Sequence, residues 1–314
     1  MKKLVLSLLV FLVLALASVY IFIPANLVIV ETAKINCVSD AAFRVLSVDS
    51  TWSKWWPGKI NKTADGASSY QVNSTTFTVS KKLMNNFELL VHHNGNTASS
   101  HINLLNIPND STIIKWQYNV NCGNNPLQRI KVYRESVAVK KDMQTVLTAA
   151  QSFLSRFDNI YGFSLRQGST TDTAIISTRA YSANYPSTAF IYSQVDKLKT
   201  FCNAGNCNIT GIPMLNITPG DTAGYQVMVA LPIENTQFGV SHEIRRQKMI
   251  PGQFIITDVM GGPYAIQQTH QQLLHYFRDY HRTSMAIPFE YLVTDRLHEP
   301  DTSKWITRIY SPVY

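Results

Sequence analysis

The sequence predicts an α+β protein with an N-terminal transmembrane helix, then a domain in which a long helix packs on an antiparallel sheet, then a duplicated β-α-β-β domain. Three observations carry this prediction. An uncharged apolar run occupies residues 4–23, strand-like runs precede a long amphipathic stretch that ends near residue 161, and the two halves of segment 174–314 share one order of elements. A chain of 314 residues is long enough for two domains of ordinary size.

The N-terminal segment, residues 1–25, is a candidate membrane anchor or signal segment. Lys2 and Lys3 precede the uncharged, mostly apolar run from Leu4 to Ile23, and a helix of about 20 residues spans the hydrocarbon core of a bilayer. Lysines before the run and none directly after it predict a single pass through the inner (cytoplasmic) membrane, with the bulk of the chain periplasmic or extracytoplasmic. The alternative is cleavage near Ala15-Leu16-Ala17.

The net charge of +8 and the pI of about 9.2 raise the question of an anionic partner. The basic residues are scattered, however, and the tightest groups are the isolated doublets Lys81-Lys82, Lys140-Lys141 and Arg245-Arg246. Because phosphate tracking requires a clustered basic face, the sequence predicts no nucleic-acid partner.

The cysteines and histidines indicate neither a metal site nor a cofactor. Cys202 and Cys207 flank a turn-like segment and can close a short loop, but the sequence leaves a disulfide and free thiols equally open; the other two cysteines are Cys37 and Cys122. His270 and His281 lie on one predicted helix, about 16 Å apart along its axis, which is too far for a shared ion.

The first domain is predicted over residues 26–161. An extended run opens it, Ser39 can cap a short helix, and a tryptophan cluster ends at Pro57-Gly58. Strand-like runs follow, separated by turns at 94–97 and 108–111, which is typical of an antiparallel meander. Apolar residues at helical spacing predict a closing helix, and they are Met143, Val146, Leu147, Ala150, Phe153, Leu154 and Phe157.

This order of elements, together with Trp52, Trp55, Trp56 and Pro57, resembles the START-like superfamily (SRPBCC), the polyketide cyclase and lipid-transfer type of helix-grip domain. The resemblance implies a cavity between the sheet and the long helix that holds an apolar small molecule. The alternative is that the tryptophans are ordinary core residues.

The second domain, residues 174–314, follows a linker at 162–173 that is rich in Gly, Ser and Thr. It contains an internal duplication. A strand, a helix near 187–201 and two further strands form the first half, and a strand, a helix near 264–280 and two further strands form the second. Two such units can pair into one sheet with both helices on one face and an open cleft on the other.

The motifs GGPYAIQQTHQQLLHYF, IPFEYLVTD and ITRIYSPV resemble the GyrI-like small-molecule-binding domain, which is also the effector-binding half of certain multidrug-sensing transcription regulators. The resemblance implies a cleft that binds amphipathic, often cationic ligands over an acidic residue, and some relatives look like hydrolases of cyclopropane-containing electrophiles. Carried onto this sequence, the acidic residue is Glu290.

Glu290 interrupts a strand-like run, IPFEYLV, in which residues 287, 289, 291 and 293 share one face, so that Glu290 and Leu292 share the other. We expect this second face to lie opposite the helices and to form the cleft. The alternative is a solvated acid, or one paired with Arg308. The aromatic residues expected beside Glu290 are Tyr225, Trp305, Tyr264 and Tyr310.

Three functions remain open at this stage. The first is a membrane-anchored, extracytoplasmic protein that binds a small molecule around Glu290. The second is a hydrolase of strained or electrophilic molecules with Glu290 as general base, and the third is a protein-interaction module without a ligand. No helix-turn-helix, H-E-x-x-H, G-x-S-x-G, Walker or G-x-G-x-x-G pattern is present, so direct gene regulation and the enzyme classes with those signatures are not supported.

Overall fold

The structure is a computed structural model that describes residues 2–62, 68–170, 174–205, 207–220, 223–234, 243–249, 252–284 and 286–313. Within the first helix, the side chains of residues 2–5, 8, 9, 12 and 15 also lie outside the description. The chain divides into two compact units, unit 1 over Met1–Ile160 and unit 2 over Tyr161–Tyr314.

The N-terminal segment forms helix α1 (Lys2–Phe22). No helix among the described residues is long and apolar enough to cross a membrane. The predicted transmembrane helix is therefore wrong. The predicted single-pass location in the inner membrane depended on that helix and is wrong as well, and the predicted membrane partner has no support. The C-terminal end of α1 contacts the rest of unit 1, where the Tyr20 hydroxyl donates to the carbonyl of Asn124 at 2.7 Å.

Unit 1 is an antiparallel sheet with one long helix. Its sheet has the order β1-β7-β6-β5-β4-β3-β2, so the meander predicted from the turn residues is present. Asn94 and Gly95 both have positive φ, 48° and 83°, as a two-residue hairpin turn requires. The strands are β1 (Asn26–Ile35), β2 (Lys59–Lys62), β3 (Ser68–Val72), β4 (Thr75–Leu83), β5 (Asn86–His93), β6 (Asn96–Ile107) and β7 (Ser111–Asn121).

Helix α4 (Pro126–Leu154) packs on β1 and β7, and Asn125 caps it by accepting from the backbone N–H of Leu127 at 2.9 Å. Two short helices, α2 (Ser39–Leu46) and α3 (Asp49–Trp52), follow β1, and α5 (Phe157–Tyr161) follows α4. The predicted apolar stripe lies largely in the core, since Met143, Val146, Leu147, Ala150 and Leu154 are buried.

The tryptophan cluster lies in the core of unit 1. Trp52, Trp55 and Trp56 are buried, and the ring of Trp52 lies 4.4 Å from that of Tyr70. The indole N–H of Trp52 donates to the Leu46 carbonyl at 2.8 Å, which satisfies its polar atom. This placement agrees with the alternative interpretation, in which the tryptophans are ordinary core residues.

Unit 2 contains one sheet of order β12-β9-β11-β10-β14-β15-β13-β8, and its neighbouring strands pair antiparallel. The two predicted repeats are present as β9-α6-β10-β11 and β13-α7-β14-β15, and they join where β10 pairs with β14. The strands are β8 (Arg166–Gly168), β9 (Ala174–Ser182), β10 (Met214–Pro219), β11 (Tyr225–Pro232), β12 (Ile244–Lys248), β13 (Gln253–Met260), β14 (Phe289–Leu292) and β15 (Ile306–Val313).

Two strands of this sheet were not predicted. Strand β8 lies inside the segment expected to be a linker, and β12 pairs with the edge of β9. A disulfide between Cys202 and Cys207 closes the short loop after α6, which decides the alternative that the sequence left open.

The helices α6 (Thr188–Ala204) and α7 (Pro263–Asp279) lie on one face of this sheet, the helix face, since α6 packs on Leu292 and α7 contacts Glu290 two residues away on the same strand. Leu292 belongs to a core cluster with Ile191, Val195 and Leu198 of α6. The opposite face, here called the reverse face, carries a second apolar cluster whose members are Ile175, Met214, Ala230, Phe254, Ile256, Phe289 and Tyr291.

Candidate functional site

Glu290 lies on β14 and points to the helix face of the unit 2 sheet. The alternation expected from the sequence holds, because Phe289 and Tyr291 belong to the reverse-face cluster whereas Leu292 packs with α6. The expectation that Glu290 faces away from the helices is wrong. A period of two tells which residues share a face, but it does not tell which face the helices cover. Glu290 is only 6% exposed.

The carboxylate of Glu290 contacts α7. Its Oε1 lies 2.9 Å from Nε2 of His270, which projects from the middle of that helix. Such a pair is a hydrogen bond when the imidazole is neutral and an ion pair when it is protonated. Burial of a carboxylate without a partner is costly, so His270 stabilises the position of Glu290.

Arg308, the alternative partner of Glu290, lies on the other face. In the pairing of β14 with β15, Arg308 stands opposite Tyr291 and Ile309 stands opposite Glu290. Directly opposed residues of an antiparallel pair point to the same side, so the guanidinium of Arg308 is directed to the reverse face. There it binds Asp258, with Nε 2.6 Å from Oδ1. Glu290 therefore does not pair with Arg308.

A groove of about 410 Å³ opens above Glu290, beside α7 and the segment that precedes α6. We call it the Glu290 groove. Among its described lining residues, Glu290 is the carboxylic acid and His270 is the basic residue. The other lining residues are mostly apolar, aromatic or amide side chains, namely Tyr185, Leu215, Asn216, Ile217, Thr218, Pro219, Tyr225, Ile266, Gln267, Gln271 and Pro288.

Two tyrosines form the aromatic part of the groove. The rings of Tyr185 and Tyr225 meet edge to face with centroids 5.4 Å apart. Tyr225 begins β11 and was expected here from the repeat pattern, whereas Tyr185 precedes α6 and was not. Burial raises the pKa of Tyr185, and the negative charge of Glu290 raises it further.

A buried cation, Arg296, acts electrostatically on the same acid. Burial lowers the pKa of the Arg296 guanidinium, while the negative charge of Glu290 opposes that shift. The guanidinium donates to Oγ1 of Thr307 at 2.8 Å and lies 4.8 Å from the ring centroid of Trp305. Arg296 is not among the lining residues of the groove, so it contributes charge rather than a contact surface.

The other three aromatic residues expected beside Glu290 do not line the groove. Trp305 is buried, donates its indole N–H to the Glu299 carbonyl at 2.8 Å, and carries Arg296 on its face. Tyr264 lies in the first turn of α7 but is 75% exposed. Tyr310 stacks on Phe289 in the reverse-face cluster, with ring centroids 5.1 Å apart.

His270 was not predicted as a site residue, although its position in the sequence indicates that it is buried. Ile266, His270 and Leu273 are spaced by four and three residues, which places His270 on the buried stripe of α7. A histidine in such a stripe needs a polar partner, and Glu290 is that partner. Tyr185 and Arg296 lie in connecting segments, where no periodicity indicates the direction of a side chain.

Nothing in the described part of the chain suggests a metal site, since no group of three His, Cys, Asp or Glu side chains there is arranged to hold an ion. The hydrogen-bonding and aromatic groups of the Glu290 groove suit an organic ligand instead.

No family model and no curated protein matches the sequence. Solved structures do show similarity. The C-terminal domain of EcmrR is 15% identical, with a TM-score of 0.40 over 48% of this chain and 98% of that one. SAV2435 bound to tetraphenylphosphonium is 18% identical, with a TM-score of 0.29 over 48% and 93%. A START superfamily protein from Mycobacterium smegmatis is 12% identical, with a TM-score of 0.29 over 40% of this chain and 97% of that one.

Proposed function

We propose that unit 2 binds a small amphipathic cation in the Glu290 groove, with the Glu290 carboxylate as its counter-charge. One observation carries the proposal. Glu290 is almost fully buried at the groove, and among the described residues its ion pair is with a histidine rather than with a lysine or an arginine. A ligand cation can therefore compete for the carboxylate.

The surroundings of Glu290 strengthen such an interaction. Coulomb attraction grows as water is excluded, and a carboxylate that is 6% exposed is largely withdrawn from water. Tyr185 and Tyr225 offer aromatic faces and edges on which a cation with apolar substituents can pack. The groove volume of about 410 Å³ is in the range of drug-sized ligand sites.

Tetraphenylphosphonium is a suitable probe because its charge is permanent and its surface is aromatic. Thermal unfolding of the full chain should shift to higher temperature with tetraphenylphosphonium, since a ligand that binds only the folded state stabilises it. Triphenylphosphine oxide, a neutral molecule of related shape, should give a much smaller shift. Equal shifts would show that the charge is irrelevant and would contradict the proposal.

A second function is supported by the Glu290–His270 pair. A carboxylate hydrogen-bonded to an imidazole can accept a proton from water, and the partly exposed ring of His270 faces the groove. The pair therefore supplies the second group that a hydrolase of electrophilic small molecules requires. The variant Glu290→Gln distinguishes the two functions. If unit 2 is a hydrolase, the variant should keep most of its ligand affinity and lose turnover. If unit 2 only binds a cation, the variant should lose affinity.

A further inference from the structure

The reverse face of the unit 2 sheet holds a second concavity, separate from the Glu290 groove. Its apolar half has a volume of about 360 Å³ and its polar half a volume of about 530 Å³. The halves adjoin each other, because Asn216, Met228 and Ile287 line both. We call the two halves together the reverse-face trough.

The apolar half is formed by side chains that the sheet directs away from the helices. Met214, Ala230, Phe254 and Phe289 belong to the reverse-face cluster and line it. Three methionines, Met214, Met228 and Met249, are among its walls. Methionine is flexible and polarisable, so such walls adapt to apolar bodies of different shape.

The polar half supplies hydrogen-bonding groups and one charge. Asn216, Thr218 and Gln226 line it together with Arg179. On β9, Arg179 is four residues after Ile175, which lines the apolar half. Four residues of strand span about 13 Å. The distance from Arg179 to the apolar half therefore matches roughly the length of a medium-length acyl chain.

The charges along the trough have one sign. Among its described lining residues the charged side chains are Arg179 and Lys248, and no aspartate or glutamate is present. In the described part of the chain neither cation has an ion-pair partner. The Glu290 groove on the helix face differs from the trough, because a carboxylate lines it.

We infer that the reverse-face trough binds an amphipathic anion, with its acyl or aromatic body in the apolar half and its carboxylate or sulfonate on Arg179. The planar guanidinium can donate two hydrogen bonds to one acidic head, and the neighbouring amide side chains can complete its hydrogen bonding. One sheet would then bind ligands of opposite charge on its two faces.

Dodecanoate is the probe for this site, and dodecylammonium is its charge-reversed counterpart. Calorimetric titration of the full chain should show binding of dodecanoate and weaker or no binding of dodecylammonium at this site. Arg179→Gln should weaken dodecanoate binding roughly tenfold, because a charge-assisted hydrogen bond is lost. Lys248→Gln, which removes the other cation, should change the affinity by much less.

Two further variants locate the site. Ala230→Leu adds a bulky side chain to the apolar half and should abolish binding; its melting temperature in the absence of ligand shows whether the fold has survived. Glu290→Gln should leave dodecanoate binding intact, so this inference can fail or hold independently of the proposed function.

Absence of dodecanoate binding by the folded wild-type chain would overturn the inference, and so would three other results. The first is dodecanoate binding that is unchanged in Arg179→Gln and in a folded Ala230→Leu, because the ligand would then lie elsewhere in the chain. The second is a loss confined to Lys248→Gln, and the third is equal affinity for dodecanoate and dodecylammonium. If dodecanoate does not bind and the chain self-associates through a surface that Ala230→Leu disrupts, the trough is instead a contact between copies of the chain.

Discussion

The imidazole Nε2 of His270 lies 2.9 Å from Oε1 of Glu290 and thereby joins α7 to β14. This contact fixes the acid at the groove and also competes with any ligand cation for the same oxygen. The two roles oppose each other. His270 holds the carboxylate in place in the free protein, but its hydrogen bond must break when a ligand cation binds.

Removal of His270 should therefore increase cation affinity. In His270→Leu the carboxylate keeps its burial but loses a hydrogen-bond donor worth about 1 kcal/mol or more. We expect tetraphenylphosphonium to bind several-fold more tightly, as measured by calorimetric titration. His275→Leu, on the same helix, is the control and should have little effect. A weaker affinity in His270→Leu would mean that the imidazole contacts the ligand itself.

The stability of unit 2 should fall at alkaline pH partly because of Tyr185. Burial and the charge of Glu290 raise the pKa of this phenol, whereas in the unfolded chain the pKa of tyrosine is about 10. A pKa raised on folding contributes stability that is fully present below about pH 10 and is lost as the pH rises through the folded-state pKa. Tyr185→Phe should reduce this alkaline loss, as measured by hydrogen exchange of unit 2 amides.

Tyr181→Phe is the control for this experiment, since Tyr181 is 58% exposed. It should leave the alkaline dependence close to that of the wild type. If Tyr185→Phe and the wild type lose stability in parallel, the phenol of Tyr185 is not linked to folding in the way that its burial predicts.

Leu292 should be a main contributor to the stability of unit 2. It is 2% exposed and packs with α6 on the helix face. Leu292→Ala removes buried methyl groups and leaves a cavity, which costs about 2–5 kcal/mol of unfolding free energy. Val293→Ala is the matched control, because its side chain is 37% exposed and should cost far less. Urea unfolding measures both, and equal costs would contradict the burial of Leu292 in the cluster with α6.

Asp142 should stabilise unit 1 through a buried polar cluster. It is 4% exposed and accepts hydrogen bonds from Asn73 and Thr75, and Thr75 also contacts His93. Asp142→Ala leaves the buried hydroxyl of Thr75 without this partner, at about 1–3 kcal/mol, and removes the hydrogen bond from the more exposed Asn73 as well. Unfolding followed by tryptophan fluorescence is a suitable measurement, because four of the five tryptophans, Trp52, Trp55, Trp56 and Trp116, lie in unit 1.

Asp158→Ala provides the comparison for unit 1. Asp158 forms an exposed ion pair with Arg156 at 2.8 Å, and such pairs contribute little. A loss of stability in Asp158→Ala as large as that in Asp142→Ala would show that burial of the polar cluster is not the cause.

The parts of the fold that sequence predicted are those set by local pattern. The apolar stripe that includes Met143 and Leu147 predicted α4, and the repeated order of elements predicted the duplication in unit 2. The alternation through Glu290 was also correct. Each of these depends on residues within a few positions of one another, where periodicity is informative.

The remaining features depend on strand pairing between distant segments, or on which face of the sheet the helices cover. Strand β12 exists because Ile244–Lys248 pairs with β9, far away in sequence. Glu290 was assigned to the wrong face, since the apolar residues on both sides of β14 are buried and either set could have met the helices. Tyr185 and Arg296 reach the site from connecting segments, where side-chain direction follows only from the folded chain.

The most direct measurement is the dissociation constant of tetraphenylphosphonium for the wild type and for Glu290→Gln, determined by calorimetric titration under identical conditions. Glutamine keeps the size of the side chain and removes its charge, so we expect the affinity to fall at least tenfold, corresponding to about 1.4 kcal/mol. Asp258→Asn, which removes the acid paired with Arg308 on the other face, should bind as the wild type does. Equal affinity of Glu290→Gln and wild type would contradict the claim that Glu290 is the counter-charge of the ligand.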